Sequence, residues 1–466
     1  MSKRIGRLAA IITATFVLLV ANLTYLQFIA ASELTAKPEN VRPILYEQKF
    51  RRGDIISADN KVLATSKKVA DSYKRYYAEG SVAAPVTGFY STKYGRSGLE
   101  LTFDEQLSGQ SYLSSVDAYI KRLLGKDVPG NNLYLSINMD IQRLADKLLG
   151  DRKGAVIALN PKTGAVIALV SKPSYNPNDI DNNWSILVKS PDGPMLNRAT
   201  QGKFTPGSSF KIITAAAALE NSILTTDTVF DAPANIKIYG GKVTNYEKKG
   251  FGKITFADAF ARSVNTVFAQ VGKSLGGGKL VDAAENFGFG RKTPFDIPAG
   301  ISHIPRPSDM DELEVAWMAV GQGRIQATPL TMALACSAIA NNGKIMRPYL
   351  VEKIQEPNGN VAFQREPRVW LSPIKPETAQ VLRGLMEKVV DEGTGKAAKI
   401  PGVRVAGKTG TAEVGNGEPH AWFVGFAPAE DPQVLVAAVV ENGGTGGRTA
   451  APIAREIMMR VLGAGQ

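Results

Sequence analysis

A chain of 466 residues has room for two or three domains and a large core. Its 44% hydrophobic and 21% charged content is ordinary for a globular protein. The net charge of +12 is scattered rather than blocked, which argues against a nucleic-acid arm and for a solvated basic surface; if one face of that surface acts, an anionic lipid or anionic wall polymer fits it.

Lys3, Arg4 and Arg7 precede an apolar run from Leu8 to about Ala31, interrupted only by Thr13, Thr15, Asn22, Thr24 and Gln27. The run is long enough to cross a bilayer of about 30 Å. Its positive flank places the N-terminus in the cytoplasm and the remainder outside. Ala30-Ala31-Ser32 would suit a cleavage site, but a signal-peptide core spans only about 7–15 residues. An uncleaved single-pass anchor over residues 1–32 is therefore expected, with the rest of the chain extracytoplasmic.

Residues 33–150 have mixed character. Arg51-Arg52-Gly53-Asp54-Ile55-Ile56 reads as a turn into a strand, Asp59-Asn60 as another turn, and Val128-Pro129-Gly130-Asn131-Asn132 as a break. Leu133 to Ile137 alternates like a strand, and Ile141, Leu144 and Leu148 have helical spacing. From Gly154, two near copies, Gly154–Leu159 and Ala165–Val170, flank Asn160-Pro161-Lys162-Thr163-Gly164 and predict a β-hairpin. Both are apolar throughout, so their sheet is expected to be covered on both faces. Helices are expected from Ser208 and from Thr328-Pro329. Ser372 looks like the N-cap and Pro373 the first residue of a helix running to about Asp391. Strands are expected at Val405–Glu413, Ala421–Ala427 and Val434–Glu441, and a last helix from about Ala450 to Leu462. Strands at both ends with helices between predict one α+β domain over residues 151–466, its sheet completed by the chain's return. The one cysteine, Cys336, sits in an apolar helical stretch and reads as core; alone, it excludes an internal disulfide and a multi-cysteine metal site.

Three short motifs carry the chemistry. In Pro206-Gly207-Ser208-Ser209-Phe210-Lys211 a chain break is followed by a serine read as a helix N-cap. Ser208 and Lys211, three apart, then share one helix face. Ser263-Val264-Asn265 lies between helices, and Lys408-Thr409-Gly410-Thr411 on a strand. Each alone is degenerate. Roughly one or two chance Ser-x-x-Lys matches are expected in such a chain. Decoys are present at Ser372–Lys375, Ser136-Ile137-Asn138, Ser174-Tyr175-Asn176 and Lys162-Thr163-Gly164. The ordered trio is far more specific. A serine beside a lysine makes a nucleophile without histidine, provided that burial or a second cation such as Lys408 keeps the amine neutral. The two histidines, His303 and His420, are far apart in sequence, and no Gly-x-Ser-x-Gly elbow supports a Ser-His-Asp triad. In this scheme Ser208 attacks a carbonyl, Lys211 takes its proton and Ser263 passes a proton to the leaving amine. Asn265 bonds the peptide backbone, Lys408 supplies positive charge, and the Thr409 and Thr411 hydroxyls bind a carboxylate. Gly410 lets substrate lie along the strand edge. The Ser208 and Thr411 N–H groups are the candidate oxyanion donors.

With this motif set the chain resembles class B penicillin-binding proteins, most closely the penicillin-binding protein A group of actinobacteria. The resemblance extends over nearly the whole length. It includes Arg52-Gly53-Asp54-Ile55, Thr87-Gly88-Phe89-Tyr90-Ser91, Gly154–Pro161, Asn197-Arg198-Ala199, Gly321-Gln322-Gly323 and Thr328-Pro329-Leu330. It implies a β-lactamase-like penicilloyl-serine transferase domain, an antiparallel sheet flanked by helices, after a smaller elongated non-catalytic pedestal. The implied activity is D,D-transpeptidation: Ser208 opens the D-Ala-D-Ala bond of a peptidoglycan stem peptide, releases D-Ala, and yields the acyl group to a neighbouring stem's amine. β-Lactams would acylate Ser208 and hydrolyse slowly. No cofactor or metal is implied. The pedestal is too short for a glycosyltransferase, so a multi-spanning polymerase partner is implied. The rivals are a D,D-carboxypeptidase, which the motifs do not separate, a membrane β-lactamase, and a β-lactam sensor or scaffold.

Overall fold

The computed structural model describes residues 2–26, 47–109, 120, 129–415 and 417–464. The far end of the expected anchor, the Ala30–Ser32 cleavage site and Val128 lie outside them. Helix α1 (Ser2–Thr24) is apolar over Lys3–Thr24, 22 residues, long enough to span a hydrocarbon layer. The hydroxyls of Thr13, Thr15 and Thr24 donate to carbonyls four residues back, so these interruptions leave no bare donor in the helix.

Residues 55–135 carry β1 (Ile55–Ile56), β2 (Val62–Val69), β3 (Ser72–Tyr77) and β4 (Asn132–Leu135). Two strands from much later in the chain complete a six-stranded sheet: Val351–Gln355 pairs antiparallel with β4, and Val361–Gln364 pairs with Val351–Gln355 at the edge. Beside it lies a buried ion network. The Arg52 guanidinium reaches Glu100 (2.9 Å), Asp104 (2.7 Å) and Glu47 (3.0 Å), and Arg75 reaches Glu100 (2.6 Å). Burial would push the Glu100 carboxyl up, but the two arginines hold it below its ordinary value.

Helix α2 (Met139–Leu149) follows. Then come β5 (Gly154–Leu159) and β6 (Val166–Lys172), helix α3 (Lys211–Glu220), α4 (Phe256–Ala261), α5 (Asn265–Asn286), α6 (Pro329–Ala340) and α7 (Pro376–Asp391). The chain closes with β7 (Ala406–Ala412), β8 (His420–Ala427), β9 (Val434–Val440) and α8 (Gly446–Leu462). The five strands order β7-β8-β9-β5-β6, antiparallel throughout. The return of the chain thus joins the expected hairpin, with Ala437 opposite Ile157. Alternation explains the unbroken apolar strands. Ile157, Leu159, Leu435 and Ala437 face a core shared with α3 and α6, while Val156, Ala158, Val436 and Ala438 face one shared with α2 and α8. A division at residue 150 therefore cuts between α2 and the sheet it packs on.

Two local expectations are corrected. Ser372 and Pro373 do not open a helix: α7 starts at Pro376, with Lys375 extended in the cap position, because a proline disfavours helical conformation in the residue before it. Nor does Ser208 cap α3. Residues Gly207–Phe210 form a 3₁₀ turn ahead of the helix, and no side chain caps it. Cys336 is buried, as expected, and burial pushes its thiol up.

Candidate active site

Two turns of backbone, at Gly207 and Gly321, meet at the outer edge of β7. The Gly207 N–H donates to Gly321 O at 2.9 Å. A Cβ on Gly321 would lie 1.9 Å from Gly207 O, and one on Gly207 would lie 2.7 Å from Thr411 O. Gly207 and Gly321 both have positive φ, +54° and +82°, which glycine alone adopts freely. On β7, a Cβ on Gly410 would lie 2.9 Å from Pro206 O. The turn bearing Ser208 is thus pressed against the strand bearing Lys408, with glycine wherever the backbones touch. Trp422, fully buried opposite Gly410 in the ladder, donates its indole N–H to Thr205 O at 3.0 Å and fixes the approach.

Lys211 and Lys408 are both fully buried. Lys211 Nζ donates to Ser263 O (2.8 Å) and Asn265 Oδ1 (2.6 Å), and lies 3.2 Å from Ser263 Oγ. Lys408 Nζ donates to Ser263 Oγ (3.0 Å) and Thr409 O (3.1 Å). Ser263 therefore bridges the two amines. It sits between α4 and α5 with φ +58°, a conformation that costs a serine about 1–2 kcal/mol and turns both its carbonyl and its hydroxyl toward the amines. Phe268 and Phe260 lie under them, with ring centres 5.1 Å from Lys211 Nζ and 5.9 Å from Lys408 Nζ. Neither lysine forms an ion pair among the described residues. Burial, and then the Lys408 charge, hold the Lys211 ammonium well below its ordinary value. Burial alone brings Lys408 down to about 7. A neutral amine has two N–H donors and one lone pair. Ser263 O and Asn265 Oδ1 take both donors of a neutral Lys211, which leaves its lone pair for an incoming proton.

The expected residues fall into two sets. Lys211, Ser263, Asn265 and Lys408 form one hydrogen-bonded cluster. Ser208 stands one turn before Lys211 in the half-buried mouth, and its hydroxyl makes no hydrogen bond among the described residues. In the first turn its N–H has no intrahelical partner, and β7 is a sheet edge, so alternate peptide groups there face outward. Gly410 is buried and Thr411 half-buried beside the Ser208 turn. Thr409 lies 5% exposed, its hydroxyl 2.6 Å from that of Thr394. The Asn265 amide bonds Lys211 through Oδ1 and donates one Nδ2 hydrogen to Thr244 O at 2.8 Å, which leaves its second N–H for a peptide. The decoys sit elsewhere. The Ser136 hydroxyl donates to Val166 O, Ser174 to Ser81 O, Lys162 pairs with Asp431 in an exposed turn, and Ser372 is exposed. Sequence reasoning missed Phe260, Phe268, Thr394 and Trp422. The four-residue spacing of Phe256, Phe260 and then Phe268 across the second motif was a usable signal for the aromatic floor; Thr394 had none.

The sequence matches the family model described as penicillin-binding protein transpeptidase domain over residues 154–459. It matches the penicillin binding protein A dimerisation domain over residues 52–133. It is 35% identical to the peptidoglycan D,D-transpeptidase PbpA of Mycolicibacterium smegmatis, covering 99% of each chain. Among solved structures it resembles penicillin-binding protein A of M. tuberculosis in its imipenem acyl-enzyme complex, at 34% identity and TM-score 0.85, covering 90% of this chain and all of that one. It also resembles the D,D-transpeptidase domain of a peptidoglycan glycosyltransferase from Eggerthella lenta, at 38% identity and TM-score 0.82, covering 89% of this chain and 99% of that one. A serine turn packed on an edge strand, two buried lysines with no ion pair among the described residues, and these likenesses agree: the chain belongs to the penicillin-binding proteins that carry a transpeptidase domain, in the penicillin-binding protein A group.

Proposed function

We propose that this protein is a peptidoglycan D,D-transpeptidase that works through a Ser208 acyl-enzyme and is inhibited by β-lactams. The carrying observation is the Lys211–Ser263–Lys408 relay, in which two buried amines share one serine hydroxyl one turn from an unengaged serine. Ser208 Oγ attacks the carbonyl of the penultimate D-Ala, and its proton passes to the Lys211 lone pair. The developing oxyanion lies between the Ser208 and Thr411 N–H groups, where loss of one donor typically costs about 3 kcal/mol. Ser263, held by Lys408, delivers its proton to the departing D-Ala nitrogen and is reprotonated by the Lys211 ammonium that took the Ser208 proton. A second stem's amine then attacks the acyl carbon and regenerates Ser208. Lys408, with Thr409 and Thr411 on the same strand, attracts the terminal carboxylate, and Asn265 with the edge of β7 aligns the peptide.

The coarse arrangement around this chemistry is part of the same reading. Residues 1–32 anchor the chain through α1, residues 33–150 stand as a non-catalytic pedestal, and residues 151–466 act outside the membrane. Glycan polymerisation falls to a multi-spanning glycosyltransferase partner. The test is labelling with a fluorescent penicillin. Wild type should form a stable adduct and Ser208→Ala none, with unchanged melting temperature. Supplied with a stem-peptide donor and an amine acceptor, wild type should form the cross-linked product. Trimmed donor alone would show a carboxypeptidase, and an adduct lost within seconds a β-lactamase.

A further inference from the structure

Residues 229–255 form a small lobe beside the cleft, made of two antiparallel pairs: Val229–Ala232 with Gly252–Thr255, and Asn235–Ile238 with Gly241–Thr244. The lobe is bolted to the second motif. Thr244 O accepts from Asn265, and Asn245 Oδ1 accepts from the Thr266 N–H at 2.9 Å. Its outer side carries Lys237, Lys242, Lys248 and Lys249, all exposed and none in an ion pair among the described residues. Lys237 lies directly opposite Lys242 in the ladder, a like-charge pairing that weakens a hairpin unless an anion offsets it. At the hairpin tip Tyr239 is 74% exposed with φ +42°, and Tyr246 is 65% exposed just beyond the second strand. Large rings held in water beside unpaired cations contribute nothing to the core.

We infer that this lobe docks the glycan strand of the wall polymer whose stem peptide enters the cleft, the tyrosine faces lying against sugar rings and the lysines meeting carboxylates of neighbouring stems. The inference rests on the transpeptidase reading and names a second contact for the same substrate. Position favours this occupant, because the lobe is hydrogen-bonded directly to Asn265 and Thr266 of the second motif. Chemistry favours it too, since ring faces and carboxylates together match exposed aromatics and cations together, whereas a lipid headgroup or a phosphate polymer engages the cations alone.

The experiment uses the full-length detergent-solubilised protein carrying Ser208→Ala, so that binding is read without turnover. It is co-sedimented with wall sacculi stripped of phosphate-bearing polymers, with and without the added changes Lys237→Gln, Lys242→Gln and Tyr239→Ser. The expected result is ~10-fold weaker binding and a shallower salt dependence for the altered lobe. The same three changes in the Ser208 chain should leave penicillin acylation within ~2-fold, as expected for a surface outside the reacting centre. Equal binding of both proteins to stripped sacculi overturns the inference. So does a loss seen only with unstripped walls, which points to a phosphate polymer, or only with anionic vesicles, which points to lipid. A wild-type chain that never labels with penicillin would instead sink the transpeptidase reading, while the sedimentation result would still stand.

Discussion

Replacing Lys408 by methionine should cut activity sharply and yet stabilise the protein in acid. Lys408 is fully buried, has no ion-pair partner among the described residues, and titrates near 7 rather than 10.5. Charging it in the folded state therefore costs on the order of 5 kcal/mol. The sign follows from proton linkage. Above 10.5 the amine is neutral folded and unfolded, and its charge contributes nothing. As pH falls from 10.5 to 7 only the unfolded chain gains the proton, so the penalty grows, and below 7 it is fully present. Methionine has similar length and no charge, but it gives up the bonds to Ser263 Oγ and Thr409 O, worth about 1 kcal/mol each. The net expectation at pH 6 is a gain of about 3 kcal/mol, which for a chain of this size raises the melting temperature by roughly 2–4 °C. Near pH 10 only the lost bonds remain, and the variant should melt slightly below wild type. Penicillin acylation should fall by about 10²–10³-fold, the scale for loss of one preorganised charged donor. Melting curves of both full-length proteins from pH 6 to 10, with acylation rates at each pH, make the check. A variant that melts lower by the same amount at every pH would show that the buried ammonium is an anchor rather than a cost, and the reasoning would fail.

Further outcomes are expected from other parts of the molecule. Acylation of Ser208 should rise with pH as Lys211 becomes neutral well below its ordinary value, then fall as Lys408 loses charge around 7; Lys408→Arg, measured on whatever activity remains, should push that falling limb beyond pH 9, because a guanidinium stays protonated. Gly321→Ala places a methyl group 1.9 Å from Gly207 O and strains a left-handed residue, so it should slow acylation at least ~10-fold by shifting the Ser208 turn while costing about 1–3 kcal/mol of stability. Arg52→Met leaves the buried Glu100 with Arg75 as its remaining guanidinium partner and should cost about 3–5 kcal/mol in thermal melts, with penicillin acylation at room temperature unchanged. Lys162→Met, in the decoy Lys-Thr-Gly, removes only an exposed pair with Asp431 and should change stability by less than ~0.5 kcal/mol and labelling not at all.

Much of the architecture was legible because it is written in short-range patterns. Two apolar near copies around a turn announced the β5–β6 hairpin, and the spacing of Ile141, Leu144 and Leu148 announced α2. The three motifs were recognisable from their order, since Ser208, Ser263 and Lys408 each fall in a different local context. The misread places share a cause. Ser372 and Lys375 compete as the cap of α7, and the choice turns on which of two prolines starts the helix. Pro-Gly-Ser has the local look of a helix cap, which is why Ser208 reads as one. In the structure the contact of Gly207 with Gly321 and Thr411 tightens that segment into a 3₁₀ turn.

By itself the amino-acid order determined the long apolar N-terminal helix, the succession of strands and helices, and the chemical types available for catalysis, because periodicity, turn chemistry and motif spacing depend on near neighbours. Tertiary structure alone decided that Ser263 bridges two lysines about 50 and 145 residues away, that no carboxylate among the described residues compensates them, and that strands from residues 351–364 complete the sheet begun by β1 to β4. Those are outcomes of chain closure: an amine loses its proton only where folding removes water and supplies no counter-charge, and no local stretch of sequence records what the rest of the chain will bring beside it.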